Sequence, residues 1–148
     1  MSLRPARLED VLALIPLLRE FYAEDAHPFD APAARAALVG LLEDPDRGRA
    51  FLIEDGGVLV GYLVVTFGYS LEFRGKDAFV DELYVRAAHR GRGLGREALH
   101  VAEACCREAG ARALHLEVRD DNAAAQRLYR SWGFASRPNH LMSKPLLS

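Results

Sequence analysis

Arginine and glycine alternate through Arg90-Gly91-Arg92-Gly93-Leu94-Gly95, with Arg96 next and Arg86 just upstream. Glycine lets a backbone turn tightly and brings its N–H groups close to a ligand. The loop runs into a stretch with helical patterning, and the free amides and dipole of a helix N-terminus favour anions. Arg86, Arg90, Arg92 and Arg96 add positive charge. A pyrophosphate suits this arrangement best. A plain turn with solvated arginines would carry the same letters. A dinucleotide fingerprint is a third reading: Gly93-Leu94-Gly95-Arg96-Glu97-Ala98 fits G-x-G-x-x-A, and Glu117 lies about 20 residues on. That fold needs further strand–helix units, and the roughly 50 residues that remain are too few for them.

Asp81 and Glu82 are the second chemical signal. They stand side by side in the otherwise apolar run Ala78–Arg86, AFVDELYVR. An unpaired buried charge is costly, so acids there need a task or a partner. Strand alternation sends neighbours to opposite faces. At most one of the two then serves as a direct base. The other binds substrate or pairs with an arginine, unless both are structural ion-pair partners.

The 148 residues must build elements that hold these groups. Half of them are apolar and 27% are charged, and the net charge is −2. A chain of this length fits one domain, and the composition argues against disorder. The near-neutral balance argues against nucleic acid as a partner. Adjacent Cys105 and Cys106 build neither a disulfide framework nor a zinc site, and the five histidines show no metal-ligand spacing. No metal is expected, and a reduced cytoplasm is the simplest compartment. MSLRPARLEDV lacks a signal-peptide layout, and no apolar run is long enough for a bilayer.

Periodicity predicts a helix over Glu9–Asp25, interrupted at Pro16, and a second from Pro32 to Leu42. Strands are predicted at Ala50–Glu54, Val58–Phe67 and Ala78–Arg86, with a turn at Asp55-Gly56-Gly57 and a loop at Gly68–Asp77. The loop His89–Gly95 leads to a helix over Arg96–Ala109, a strand over Ala113–Val118 and a helix over Ala123–Trp132. Asn122 is a good N-cap for the latter. Phe134–Lys144 is expected as a last, irregular strand interrupted by Pro138. The class is α/β, with a mixed sheet and about four helices.

With these motifs in order, the chain resembles the GCN5-related N-acetyltransferase superfamily. Its loop, R/Q-x-x-G-x-G/A, is matched by Arg90-Gly91-Arg92-Gly93-Leu94-Gly95. VDELYV resembles the strand that leads into it. Asn122-Ala-Ala-Ala-Gln-Arg-Leu-Tyr129 followed by Trp132-Gly133-Phe134 resembles the family's N-x-x-A-x-x-L-Y…G-F helix. Arg7 departs from the pattern, where a Thr or Ser often caps the first helix.

The resemblance implies a single domain over residues 1–148, with central parallel strands splayed apart to admit acetyl-CoA. Leu83, Tyr84 and Val85 would pair with the pantetheine arm, the 90–96 amides would bind the pyrophosphate, and Asn122, Ala125 and Tyr129 would touch the cofactor. An amine must be neutral to attack a thioester, yet an alkyl ammonium with pKa ~10 is charged at pH 7. Glu82, slightly favoured over Asp81, would take that proton directly or through water. A backbone N–H of Tyr84 or Val85 would meet the oxyanion. Tyr129 would protonate the leaving thiolate, by motif position. The acceptor side would be formed by Phe21, Tyr22, Glu24, Asp25, His27 and Phe29 with Tyr69, Ser70, Glu72 and Phe73. Acids among aromatics suit a cationic amine, small or peptidic. A homodimer is also implied. The rival reading is a non-catalytic acyl-CoA-binding or regulatory module of the same fold.

Overall fold

A computed structural model describes residues 2–147. Five strands form one sheet in the order β1 (Ser2–Pro5), β2 (Gly48–Asp55), β3 (Val58–Ser70), β4 (Gly75–Val85) and β5 (Leu114–His115). The first four pair antiparallel, while β4 and β5 run parallel. Helices α1 (Val11–Glu24) and α2 (Ala31–Glu43) precede β2, α3 (Leu94–Glu108) lies between β4 and β5, and α4 (Ala123–Ser131) follows. The architecture is α/β with a mixed sheet and four helices among the described residues, as expected.

The chain divides into two compact units, one up to Glu117 and one from Val118. In the first, strand alternation sends side chains to two cores. Leu52, Tyr62, Val64 and Tyr84 join Leu14, Leu17 and Leu18 of α1 and Leu38 of α2. Ile53, Leu63, Val65 and Ala78 join Leu94, Ala98 and Ala102 of α3. Helices therefore cover both faces of β3 and β4. Truncating a buried leucine such as Leu63 would cost about 2–5 kcal/mol. No helix among the described residues is long and apolar enough to cross a membrane.

Pro16 sits within α1 without ending it. The carbonyl that loses its helical donor belongs to Leu12, which is 66% exposed, so water can replace that donor. Ahead of α1, the Arg7 N–H donates to Asp10 Oδ2 at 2.8 Å, supplying from Asp10 the anchoring that Arg7 itself lacks.

Two expectations are corrected, and one strand goes beyond them. Ser2–Pro5 is a strand that periodicity did not predict. It is short, lies at the sheet edge and ends in proline, so it carried no alternating signal. Gly68–Asp77 is not a loop: β3 continues to Ser70 and β4 starts at Gly75. The polar letters there belong to a hairpin that outruns β2, whose pairing with β3 ends at Thr66. Phe134–Lys144 forms no strand. Pro138 removes a ladder donor, and Leu141 and Met142 are exposed rather than packed on a sheet face.

Candidate active site

The site begins at a fault in the β3–β4 ladder. Val64 faces Glu82 but Val65 faces Val80, so Asp81 is an extra residue in β4. A bulge of this kind re-aims side chains. Val80 packs toward the α3 core, while Glu82 bonds to tyrosines on the α1 side. Strict alternation therefore fails between Val80 and Glu82, at Asp81. The Asp81 charge reaches Glu82 and adds to the upward push on its carboxyl.

Glu82 is gripped from two elements. Tyr62 Oη of β3 donates to Oε1 at 2.7 Å, and Tyr22 Oη of α1 donates to Oε2 at 2.8 Å. Burial pushes the Glu82 carboxyl upward, and the two phenols oppose that push. Burial, then Glu82, pushes the Tyr22 phenol up to about 12, and Tyr62 is raised by the same causes. Both tyrosines are thus neutral donors at pH 7. Desolvation also raises the Asp81 carboxyl, although its side chain keeps contact with water.

Aromatic rings wall this group. Phe21 lies 6.2 Å from Tyr62 and 5.7 Å from Tyr84, while Phe29 lies 5.5 Å from Tyr22. His27 stands 6.3 Å from Tyr22. Of the predicted acceptor residues, Phe21, Tyr22, His27 and Phe29 are therefore brought together. Tyr69 and Glu72 are not. They stand at the far end of the β3–β4 hairpin, where Tyr69 faces Lys76, roughly 20 Å along β4 from Glu82 at ~3.3 Å per residue. There Ser70 Oγ accepts the Phe73 N–H at 3.2 Å.

Beyond Glu82, β4 lacks a neighbour on one side. Its parallel pairing with β5 comprises Ala78 with Leu114 and Phe79 with His115. Leu83, Tyr84 and Val85 pair with Leu63, Tyr62 and Gly61 of β3, with no strand partner on the opposite edge among the described residues. That edge fits an extended, amide-bearing chain.

The loop after β4 has the expected geometry. Gly91 and Gly93 have φ of 80° and 81°, which side chains rarely adopt, and Gly93 is the N-cap of α3. The first amide of α3 to find a helical carbonyl is that of Glu97, which donates to Gly93 O at 3.0 Å. The amides of Leu94 and Gly95 stand ahead of it with no carbonyl behind them. A Cβ at Gly91, Gly93 or Gly95 would meet open space. These features fit a diphosphate.

The loop arginines are occupied by carboxylates. Arg86 grips Glu20 through Nε at 3.1 Å and Nη2 at 3.0 Å. Arg90 donates to Glu24 at 2.6 Å and to Val85 O at 2.7 Å, with its guanidinium 5.6 Å from the Tyr84 ring. Arg92 pairs with Asp55 at 3.2 Å, and His89 Nδ1 lies 3.6 Å from the same oxygen. Arg96 is exposed on the first turn of α3. Tyr84 Oη donates to Glu20 at 2.9 Å.

Sequence reasoning missed Tyr62, Glu20 and Asp55. Tyr62 reads as a strand aromatic, Glu20 as a solvated helix residue and Asp55 as a turn former. Each gains a role only through a partner 20 to 66 positions away.

In the second unit, Asn122 Oδ1 accepts the Ala125 N–H at 3.1 Å and caps α4 as expected. The Tyr129 ring meets Phe134 edge-on at 6.1 Å, and burial raises its phenol.

Comparison with known proteins places the chain in a family. The profile of the acetyltransferase (GNAT) family matches residues 12–134. A candidate ribosomal protein bS18-alanine N-acetyltransferase of Bacillus subtilis (strain 168) is 31% identical over 133 residues, covering 89% of this chain and 79% of that one. An integron cassette protein from the mobile metagenome of Cole Harbour Salt Marsh superposes with a TM-score of 0.88 at 37% identity, covering 99% of this chain and 91% of its own. A predicted acetyltransferase with acetyl-CoA from Clostridium acetobutylicum shares the fold, with a TM-score of 0.81 at 13% identity over 97% of this chain and 95% of its own. The unpaired β4 edge, the glycine loop and the matched profile lead to one assignment: this chain belongs to the acetyltransferase (GNAT) family, N-acetyltransferases whose acyl donor is acetyl-CoA.

Proposed function

We propose that the chain transfers an acetyl group from acetyl-CoA to a primary amine by direct attack in a ternary complex, with Glu82 as the general base. The observation that carries this reading is the Glu82 carboxylate, gripped by Tyr22 and Tyr62 inside an aromatic wall. A raised carboxyl is a better proton acceptor than an ordinary one. Acids and π-faces together attract an ammonium. The acceptor is a small cationic amine or the amine of a peptide or protein. The latter is the kind of acceptor named for the Bacillus subtilis relative.

Acetyl-CoA, when bound, supplies an activated thioester carbonyl. The Gly91–Gly95 amides hold its phosphates, and the free edge of β4 aligns its extended arm. The backbone N–H of Val85, on the free edge of β4, faces the developing oxyanion, because the N–H groups of Arg86 and of Tyr84 two residues before it are turned toward β3. Glu82 receives the amine's proton, and Asp81 draws the cation toward it. Tyr129 returns a proton to the departing sulfur, an assignment that rests on its motif position. Catalysis belongs in the cytoplasm, where the Cys105 and Cys106 thiols, both free and pushed upward by burial, stay reduced.

The test is thiol release from acetyl-CoA across a panel of diamines, amino acids, amino sugars and peptides with free N-termini. At least one class should turn over. Glu82→Gln should cut kcat by roughly 10²–10⁴-fold while acetyl-CoA affinity stays unchanged. Tight acetyl-CoA binding with no thiol release from any amine would favour the non-catalytic acyl-CoA module instead.

A further inference from the structure

Both oxygens of the Glu82 carboxylate already accept a phenol proton, Oε1 from Tyr62 and Oε2 from Tyr22. An amine approaching the base therefore finds a tyrosine hydroxyl at either oxygen. The two tyrosines differ in access. Tyr62 is 1% exposed, on a central strand beneath Phe21 and Tyr84. Tyr22 is half-buried in the last turns of α1, beside His27 and Phe29. A phenol that donates one hydrogen bond still has lone pairs with which to accept another.

We propose that Tyr22 is a catalytic proton relay between the acceptor ammonium and Glu82, while Tyr62 only positions the carboxylate. The inference rests on the reading of Glu82 as base. One N–H proton of the ammonium passes to Tyr22 Oη as the phenol's own proton passes to Glu82 Oε2. The amine is left neutral with its lone pair free, Tyr22 is a phenol again, and Glu82 is a carboxylic acid. Glu82 returns that proton to solvent after turnover. No oxidant or further reactant is needed. The titratable groups around this pair are Asp81 on β4, Tyr62 on β3, and His27 just beyond α1.

The relay predicts a dependence on amine basicity that a structural role does not. Acceptors of similar size but different ammonium pKa would be compared in Tyr22→Phe and Tyr62→Phe. For amines fully protonated at the assay pH, Tyr22→Phe should lower kcat/KM by roughly 10²-fold, and for amines already neutral by only a few-fold. Tyr62→Phe should lower both kinds by a similar factor. Each variant removes a donor that holds the Glu82 carboxyl down, so the acid limb of the pH profile should move to higher pH in both. An equal loss in Tyr22→Phe for basic and weakly basic amines overturns the relay, even if Glu82→Gln is inactive. If Glu82→Gln keeps full turnover with basic amines, the base assignment itself fails. Circular dichroism and thermal melting of both variants separate misfolding from lost chemistry.

Discussion

The Glu82 pocket and the arginine loop each hold charge beside β4, but they hold it differently. Glu82 is half-buried and its partners are neutral phenols. Arg90 and Arg92 are exposed, and their partners are carboxylates. A phenol supports a carboxylate without cancelling its charge, so Glu82 remains able to take a proton. A surface carboxylate cancels an arginine's charge but binds it weakly, at about 0.2–1 kcal/mol. The arginines can therefore exchange Glu24 and Asp55 for a phosphate at little cost. In the proposed reaction one region would preserve a reactive charge and the other would store binding charges in releasable form.

The first way to break this comparison is to damage the loop without touching its arginines. Gly93 has φ of 81°, and a Cβ there meets no neighbour. Gly93→Val should leave the core intact but impose a backbone penalty of about 1–3 kcal/mol. If the loop relaxes to avoid it, the amides lose their aim and acetyl-CoA binding weakens by about 10-fold or more. Calorimetric titration with CoA measures this. Unchanged affinity would mean that the glycine geometry does not serve the cofactor.

A second variant should act in the opposite direction. Glu24→Gln frees Arg90 from its 2.6 Å ion pair. If that pair is a releasable store, CoA should bind about 1.5- to 5-fold more tightly, the range a surface pair corresponds to. The gain should shrink as salt is added, because exposed pairs are screened. Weaker CoA binding would show instead that Glu24 holds Arg90 in its binding pose.

The two regions were unequally legible in the sequence. The loop was readable because its chemistry is local: glycines at 91 and 93, arginines beside them and a helix start behind. The Glu82 pocket was only half readable. Paired acids in an apolar strand announced a task, but the bulge at Asp81 depends on register with β3, and register is a long-range property. Tyr62 was hidden because a tyrosine in YLVVTF looks like ordinary core. The N-cap role of Asn122 was local and was anticipated, whereas a strand over Phe134–Lys144 was not realised.

Glu20 joins both modes of holding charge and gives the finest test. It accepts a phenol proton from Tyr84 and two guanidinium protons from Arg86. Its carboxyl is held below the ordinary value, first by Arg86 and also by Tyr84, against an opposing push from burial. Glu82, with phenols alone, is raised. Glu82 is also more deeply buried and lies beside the Asp81 charge, so Arg86 is the largest pull on Glu20 but not the only difference between the two carboxyls. A carboxyl whose folded pKa lies below its unfolded one, about 4.3, stabilises the fold above that pH. The contribution fades as pH falls through the folded value. Arg86→Met should remove it while keeping an apolar stem. Both side chains keep solvent contact, each 39% exposed, so the loss at pH 7 should be at most about 1 kcal/mol. Urea midpoints at pH 7 and at about pH 3 would read it. The difference between wild type and Arg86→Met should narrow at the lower pH. A gap that stays constant would show that Arg86 stabilises by packing alone, and that phenol and guanidinium partners do not differ in the way the two regions suggest.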